Sequence, residues 1–268
     1  MEYIDCANRL TDNIIRNTIN FWSKNSFEHI TSIMNLSKNS GGILYPEYEK
    51  NLKGLFDKYQ NLYEDTSKSK NTNIYFLSKV FLDTNQEFIC LLEKLKFEGF
   101  NGNAFSFEKL YHWLYEQKYA KGLILSVYPI KDKYCENLLF TTEFYKTNPF
   151  RTLNKCIFTQ LYFWSIIGAQ HPNFILDENT RNSVPEKIRI SFDNTCASFN
   201  LIAFKLSNII NMQNKNELRP IYDFFKKTND NFLYYLYDLK NYTSKDLNHI
   251  ISEHTYLKDL LSSFDKLF

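Results

Sequence analysis

The chain has 268 residues, a formal net charge of +2, 44% hydrophobic and 17% aromatic residues, and only 7 Gly and 6 Pro. That length allows one large domain or two of ordinary size, and so few turn-forming residues exclude an all-β fold, which needs many more. The charges are interspersed, which excludes the clustered basic footprint of a nucleic-acid binder.

No apolar run approaches the ~20 residues of a membrane span. The first residues, MEYIDCANRL, lack the basic-then-apolar order of a signal peptide. Cys6, Cys90, Cys135, Cys156 and Cys196 form no CxxC pair, and an odd, scattered set reads as reduced thiols. The expected setting is therefore cytoplasmic, with no membrane and no nucleic acid as partner. The sequence names no protein partner, and a homo-oligomer is compatible with it.

Residues 4–36 carry Ile15, Ile19, Trp22, Ile30, Ile33 and Met34 at helical spacing, and SKNSGG (37–42) supplies C-cap glycines. Pro46 suits the first turn of a second helix, with Leu52, Leu55, Phe56, Tyr59 and Leu62 as its stripe. A polar tract, 65–73, leads to a long helix over 74–98, which Gly99–Asn103 ends. Ser106 can cap an additional segment, 105–122, and Pro129 opens a helix that runs to position 146. Asn148-Pro149 reads as N-cap and first helical residue, and the boundary between two halves, 1–148 and 149–268, is placed there.

In the second half a helix is predicted over 149–177, then a loop, 177–185, whose Ser183 with Glu186 fits a capping box. A further helix reaches 212, NKNELRP connects it to IYDFFKKTNDNFLYYLYDL, and Thr243 with Asp246 caps a last helix, 244–267. Four amphipathic helices in each half predict an all-α fold, a tandem duplication of two antiparallel four-helix bundles.

The halves share a short stretch: residues 21–30 read FWSKNSFEHI and residues 163–172 read FWSIIGAQHP. Phe21, Trp22, Ser23 and His29 stand 142 positions before Phe163, Trp164, Ser165 and His171. Near the ends of the halves, 128–139 matches 249–260 loosely, with Lys133 set against His254. The stripe Thr18, Trp22, Asn25/Ser26, His29, Ile33 becomes Gln160, Trp164, Ile167/Gly168, His171, Ile175, and its apolar members turn it toward the core.

A buried imidazole without partners costs about 1–3 kcal/mol, so these histidines either hydrogen-bond a neighbouring helix or ligate a metal. Glu28-His29 and Glu253-His254 are adjacent pairs whose side chains point about 100° apart, so they do not share one face. The Glu-plus-Glu-x-x-His set of di-metal carboxylate bundles is absent. His112 reads as a packing or surface residue and His249 as solvated. Pro172, four residues after Gly168, predicts a bend beside His171. No phosphate-binding loop or nucleophile motif is present, so no reaction follows.

F-W-x6-H at the start of two tandem helical halves, with an acid-His pair in the last helix, resembles the DUF2935 family. That resemblance covers essentially the whole chain. It implies tandem four-helix bundles, metalloprotein-like, from spore-forming Gram-positive bacteria. It also implies metal ligation by His29, His171 and His254 with the neighbouring carboxylates Glu28 and Glu253, the ion being Fe, Mn or Zn. Two departures weaken the site: Thr18 and Gln160 stand where members tend to have Glu, and Lys133 stands at the last-helix His of the first half. The resulting expectation is a bundle that binds a transition metal through core histidines and carboxylates. The alternative is a structural or protein-interaction bundle that has lost the metal.

Overall fold

The computed structural model describes residues 11–39, 43–68, 72–98, 100–101, 107–127, 153–176, 178–209, 215–243 and 247–265. The fold is all-α. The described helices are α1 (Asp12–Asn39), α2 (Pro46–Lys68), α3 (Ile74–Glu98), α4 (Phe107–Val127), α5 (Leu153–Ile175), α6 (Glu178–Ser183), α7 (Glu186–Ser207), α8 (Lys215–Leu239) and α9 (Asn248–Phe264). None of them is long and apolar enough to cross a membrane. Two compact units result, one within Arg9–Asn148 and one within Pro149–Phe268.

In the first unit α1 packs on α2, α2 on α3, α3 on α4, and α4 returns to α1. Local chemistry caps the starts of α1 and α3. Thr11 Oγ1 accepts from the Ile14 N–H at 3.3 Å, and Asn73 Oδ1 accepts from the Tyr75 N–H at 2.8 Å. Each bond satisfies an amide that the first helical turn leaves without an internal partner. A two-residue antiparallel pairing, Ile43 with Asn101 and Leu44 with Phe100, ties the α1–α2 connection to the α3–α4 connection. The core centres on Trp22, Tyr59, Phe81, Phe88 and Leu123, all fully buried or nearly so.

In the second unit α5 packs on α7, α7 on α8, α8 on α9, and α9 returns to α5. Position by position the two units use the same kinds of residue. Tyr48, Leu52, Leu55, Tyr59, Leu62 and Thr66 are the buried set of α2; Ile188, Phe192, Thr195, Phe199, Ile202 and Leu206 are that of α7, each 140 positions later. Phe81, Thr84, Asn85 and Phe88 of α3 match Phe225, Thr228, Asn229 and Phe232 of α8, 144 positions later, and all eight are buried.

Segment 105–122, read above as an addition, is an integral fourth helix. Leu110, Tyr119, Leu123 and Ile124 of α4 are buried as Leu247, Tyr256, Leu260 and Leu261 are, 137 positions later at and within α9. The helix expected over 129–146 and the pairing of Lys133 with His254 lie outside the described residues.

Four other expectations need correction. The loop 177–185 contains α6, where the Ser183 hydroxyl bonds back to the Thr180 carbonyl at 2.9 Å. It therefore does not cap α7, whose N-cap is Pro185, without a side-chain cap. The NKNELRP stretch is helical from Lys215, because buried Leu218 extends the stripe of Tyr222 and Phe225 backwards. The last helix begins at Asn248, behind a buried Leu247, too far along for Thr243 to cap it. Cys156 is disulfide-bonded, so the reading of all five cysteines as reduced does not hold; Cys90 and Cys196 are free thiols.

Helix α5 runs unbroken through Pro172. Gly168 meets a further constraint: a Cβ on it would lie 2.9 Å from two atoms of the Phe199 ring. Phe199 is fully buried, so its ring would have to shift within a packed core. Gly168→Ala is therefore expected to cost about 1–3 kcal/mol of stability through overpacking, despite Ala being the better helix former. Urea denaturation checks this, and an unchanged or raised midpoint would show that the ring moves freely.

Candidate metal centre

Helix α1 carries His29 on the stripe that buries Ile19, Trp22 and Ile33, so its imidazole enters the unit's interior. Helix α4 brings His112 and Glu116, four residues apart and on one face. Glu116 lies between the two rings. Its Oε2 is 3.2 Å from His29 Nε2, and its Oε1 is 3.5 Å from His112 Nε2. All three side chains are buried, Glu116 completely. The Trp113 ring flanks His29, centroid to centroid 5.7 Å.

The second unit repeats this arrangement. Helix α5 supplies His171, and α9 supplies His249 and Glu253, again four residues apart. Glu253 Oε2 is 3.2 Å from His171 Nε2, and Oε1 is 3.1 Å from His249 Nε2. His171 and Glu253 are buried, while the His249 side chain keeps 25% of its exposure. Burial is the largest influence on the Glu253 carboxyl and pushes its pKa up. The charges of His249 and His171, with their hydrogen bonds, outweigh it and hold the pKa well below the ordinary value. Glu253 is therefore an anion in the interior.

The sequence-derived residues distribute unevenly over this geometry. His29, His171 and Glu253 each take part in a His–Glu–His arrangement. Glu28 is turned away, partly exposed and 3.6 Å from Lys24 one turn back, as its roughly 100° offset from His29 requires. His254 is fully buried, but both of its ring nitrogens are engaged: Nδ1 lies 2.6 Å from Asn229 Oδ1, and Nε2 lies 2.8 Å from His171 Nδ1.

His112, Glu116 and His249 were missed as site residues. The signal that finds them is His-x-x-x-Glu, present at 112–116 and again at 249–253. Reading acid-His neighbours instead of acid and His four apart concealed it.

Next to the carboxylate the two helices carry different residues. Where α9 has His254, α4 has Gln117, also 137 positions earlier and fully buried. Gln117 Oε1 accepts from Asn85 Nδ2 at 2.7 Å and Ser26 Oγ at 3.0 Å, with the Tyr59 hydroxyl at 3.4 Å.

Two imidazole nitrogens and a carboxylate oxygen are a donor set that Zn²⁺, Fe²⁺ and Mn²⁺ accept. Among the described residues, buried His and Glu ligand atoms come close enough together to hold a metal ion. Each oxygen–nitrogen separation fits as well. Ligand atoms bonded at about 2.0–2.2 Å around one metal stand about 3–3.5 Å from each other. The same separations also suit direct N–H···O bonds, except His112 to Glu116, which at 3.5 Å is too long for a good one. Comparison of the chain with protein-family models, curated proteins and solved structures finds no match.

Proposed function

We propose that this chain binds a transition metal, iron, manganese or zinc, through imidazoles of His29, His112, His171 and His249 and the carboxylates Glu116 and Glu253. One observation carries the reading: each unit buries a carboxylate whose two oxygens each face the Nε2 of a histidine. Burying an ion without compensation is costly, and a divalent cation is the strongest compensation such a set can receive. The fold-wide match between the units supports a tandem duplication as its origin, in keeping with the resemblance to DUF2935. That resemblance would place the ligands on the first and last helices of each unit.

Binding metal does not by itself imply a reaction, and none is assigned. A second reading, a structural or interaction bundle, is favoured by the way His254 is satisfied entirely by protein groups. In that case Glu253 and Glu116 would serve as counterions to protonated histidines.

Elemental analysis of the chain purified without a polyhistidine tag separates the two. The metal reading expects stoichiometric iron, manganese or zinc, as isolated or after reconstitution, and a melting temperature that falls on adding a chelator. Metal that stays far below one equivalent after reconstitution, with no effect of chelator, would leave the structural reading.

A further inference from the structure

We infer that His254 and Asn229 are positioning residues of the second unit, which keep a proton on His171 Nδ1 and direct its Nε2 toward Glu253. The affinity arm of this inference rests on the metal reading above; the tautomer arm does not.

The direction of the chain is set at its far end. A backbone carbonyl can only accept, so the Asn229 Nδ2 group faces the His254 carbonyl oxygen, 3.1 Å away. Asn229 Oδ1 is then the atom that faces His254 Nδ1, at 2.6 Å, and it accepts the proton carried there. His254 consequently presents a lone pair at Nε2. His171 Nδ1, 2.8 Å from it, is the donor. The remaining nitrogen of His171, Nε2, sits across the ring, 3.2 Å from Glu253 Oε2.

The surroundings protect this order. His254 is fully buried, with the Phe232 ring edge-on at 4.6 Å and the Phe199 ring at 6.0 Å, centroid to centroid. Bulk water cannot compete for its nitrogens, and the two rings leave it little freedom to rotate. A histidine that serves as a metal ligand needs its other nitrogen bonded in this way, because that bond fixes both tautomer and ring orientation. The device is specific to the second unit. In the first, Gln117 occupies the matching position, and its carbonyl oxygen is taken up by Asn85 and Ser26.

The test uses the full chain, ¹⁵N-labelled, with long-range ¹H–¹⁵N correlation spectra of the imidazoles recorded metal-free and with Zn²⁺. The expected result is His254 protonated at Nδ1 and bare at Nε2 in both states, with His171 protonated at Nδ1. His254 protonated at Nε2 in the metal-free chain would overturn the inference. Should the tautomers appear as expected while zinc moves no imidazole resonance, the positioning stands and the metal reading falls.

Zinc affinity, measured by competition with a chelating dye, gives the second arm. His254→Gln keeps a carbonyl that can accept from His171 and is expected to retain most of the affinity. His254→Leu cannot accept and should lose about 10–100-fold. A Leu variant that binds zinc as the wild type does would also overturn the inference. Should that variant not fold, the wild-type spectra decide it.

Discussion

Glu253→Gln is expected to come out of reconstitution with much less metal than the wild type and to unfold at lower denaturant even without metal. Gln fills the same volume, so no cavity contributes. The change is one of charge: the anion between His171 and His249 becomes a neutral amide whose NH₂ must face one of the two nitrogens that Glu253 now contacts at 3.2 and 3.1 Å. A cation site that loses its carboxylate loses both charge compensation and a ligand. Independently of metal, removing one member of a buried ion pair costs about 3–5 kcal/mol, since the other is left in the interior. Urea unfolding of both chains, each with and without chelator, separates the parts. The difference that survives chelation belongs to the His–Glu pairing, and the rest belongs to bound metal. Identical curves for variant and wild type in both conditions would mean that the buried carboxylate carries neither role. Glu28→Gln is the control: Glu28 is partly exposed, and its pairing with Lys24 is the kind of i,i+4 surface contact worth about 0.3–0.5 kcal/mol.

The helices were legible because their signals are local. Pro46 and the 74–98 run act within a few residues, and tertiary packing did not override them. The lost boundaries failed for tertiary reasons. Burial of Leu218 pulled 215–220 into α8, and a buried Leu247 stands before the start of α9, later than the Thr243 cap suggested.

The site was legible in part for a related reason. His29 and His171 sit beside a conspicuous Phe-Trp-Ser, so the repeat announces them. Glu116 sits in a stretch whose apolar moment is weak, because nearly the whole of α4 is buried: Leu110, His112, Trp113, Glu116, Tyr119, Ala120 and Leu123 leave only a narrow polar face. A helix buried almost all round shows no clear stripe, so its pattern offers no reason to read it as the counterpart of α9. The role of His254 was beyond sequence reading altogether. Whether an imidazole in a core is a ligand or the support of one depends on which atoms face its two nitrogens, here Asn229 from α8 and His171 from α5.

Trp22→Ala and Trp164→Ala are each expected to cost about 3–5 kcal/mol, the range for emptying a large aromatic from a packed core. Both indoles are fully buried. Each meets the preceding Phe edge-on, Phe21 at 5.2 Å and Phe163 at 5.1 Å, and each lies 5.7 Å from the tyrosine of the fourth helix, Tyr119 or Tyr256. The Trp therefore joins the first helix of each unit to the helix that carries the carboxylate. Seven residues, two helical turns, separate Trp22 from His29 and Trp164 from His171, so indole and imidazole share a stripe. A void at the Trp frees the first helix to shift against the fourth, and displacement of His29 from Glu116, or of His171 from Glu253, follows. Metal content should fall together with stability in both variants, where a substitution that only removes a contact remote from the site would lower stability alone. Urea denaturation with elemental analysis of the same samples reads both quantities. A loss below about 1 kcal/mol, the centre of the ordinary range for point substitutions, would mean that these indoles are not what joins the first helix to the fourth. Equal losses in the two variants would argue that the units share one packing scheme down to this contact, and that the exchange of Gln117 for His254 changes the chemistry laid over that scheme without changing the scheme itself.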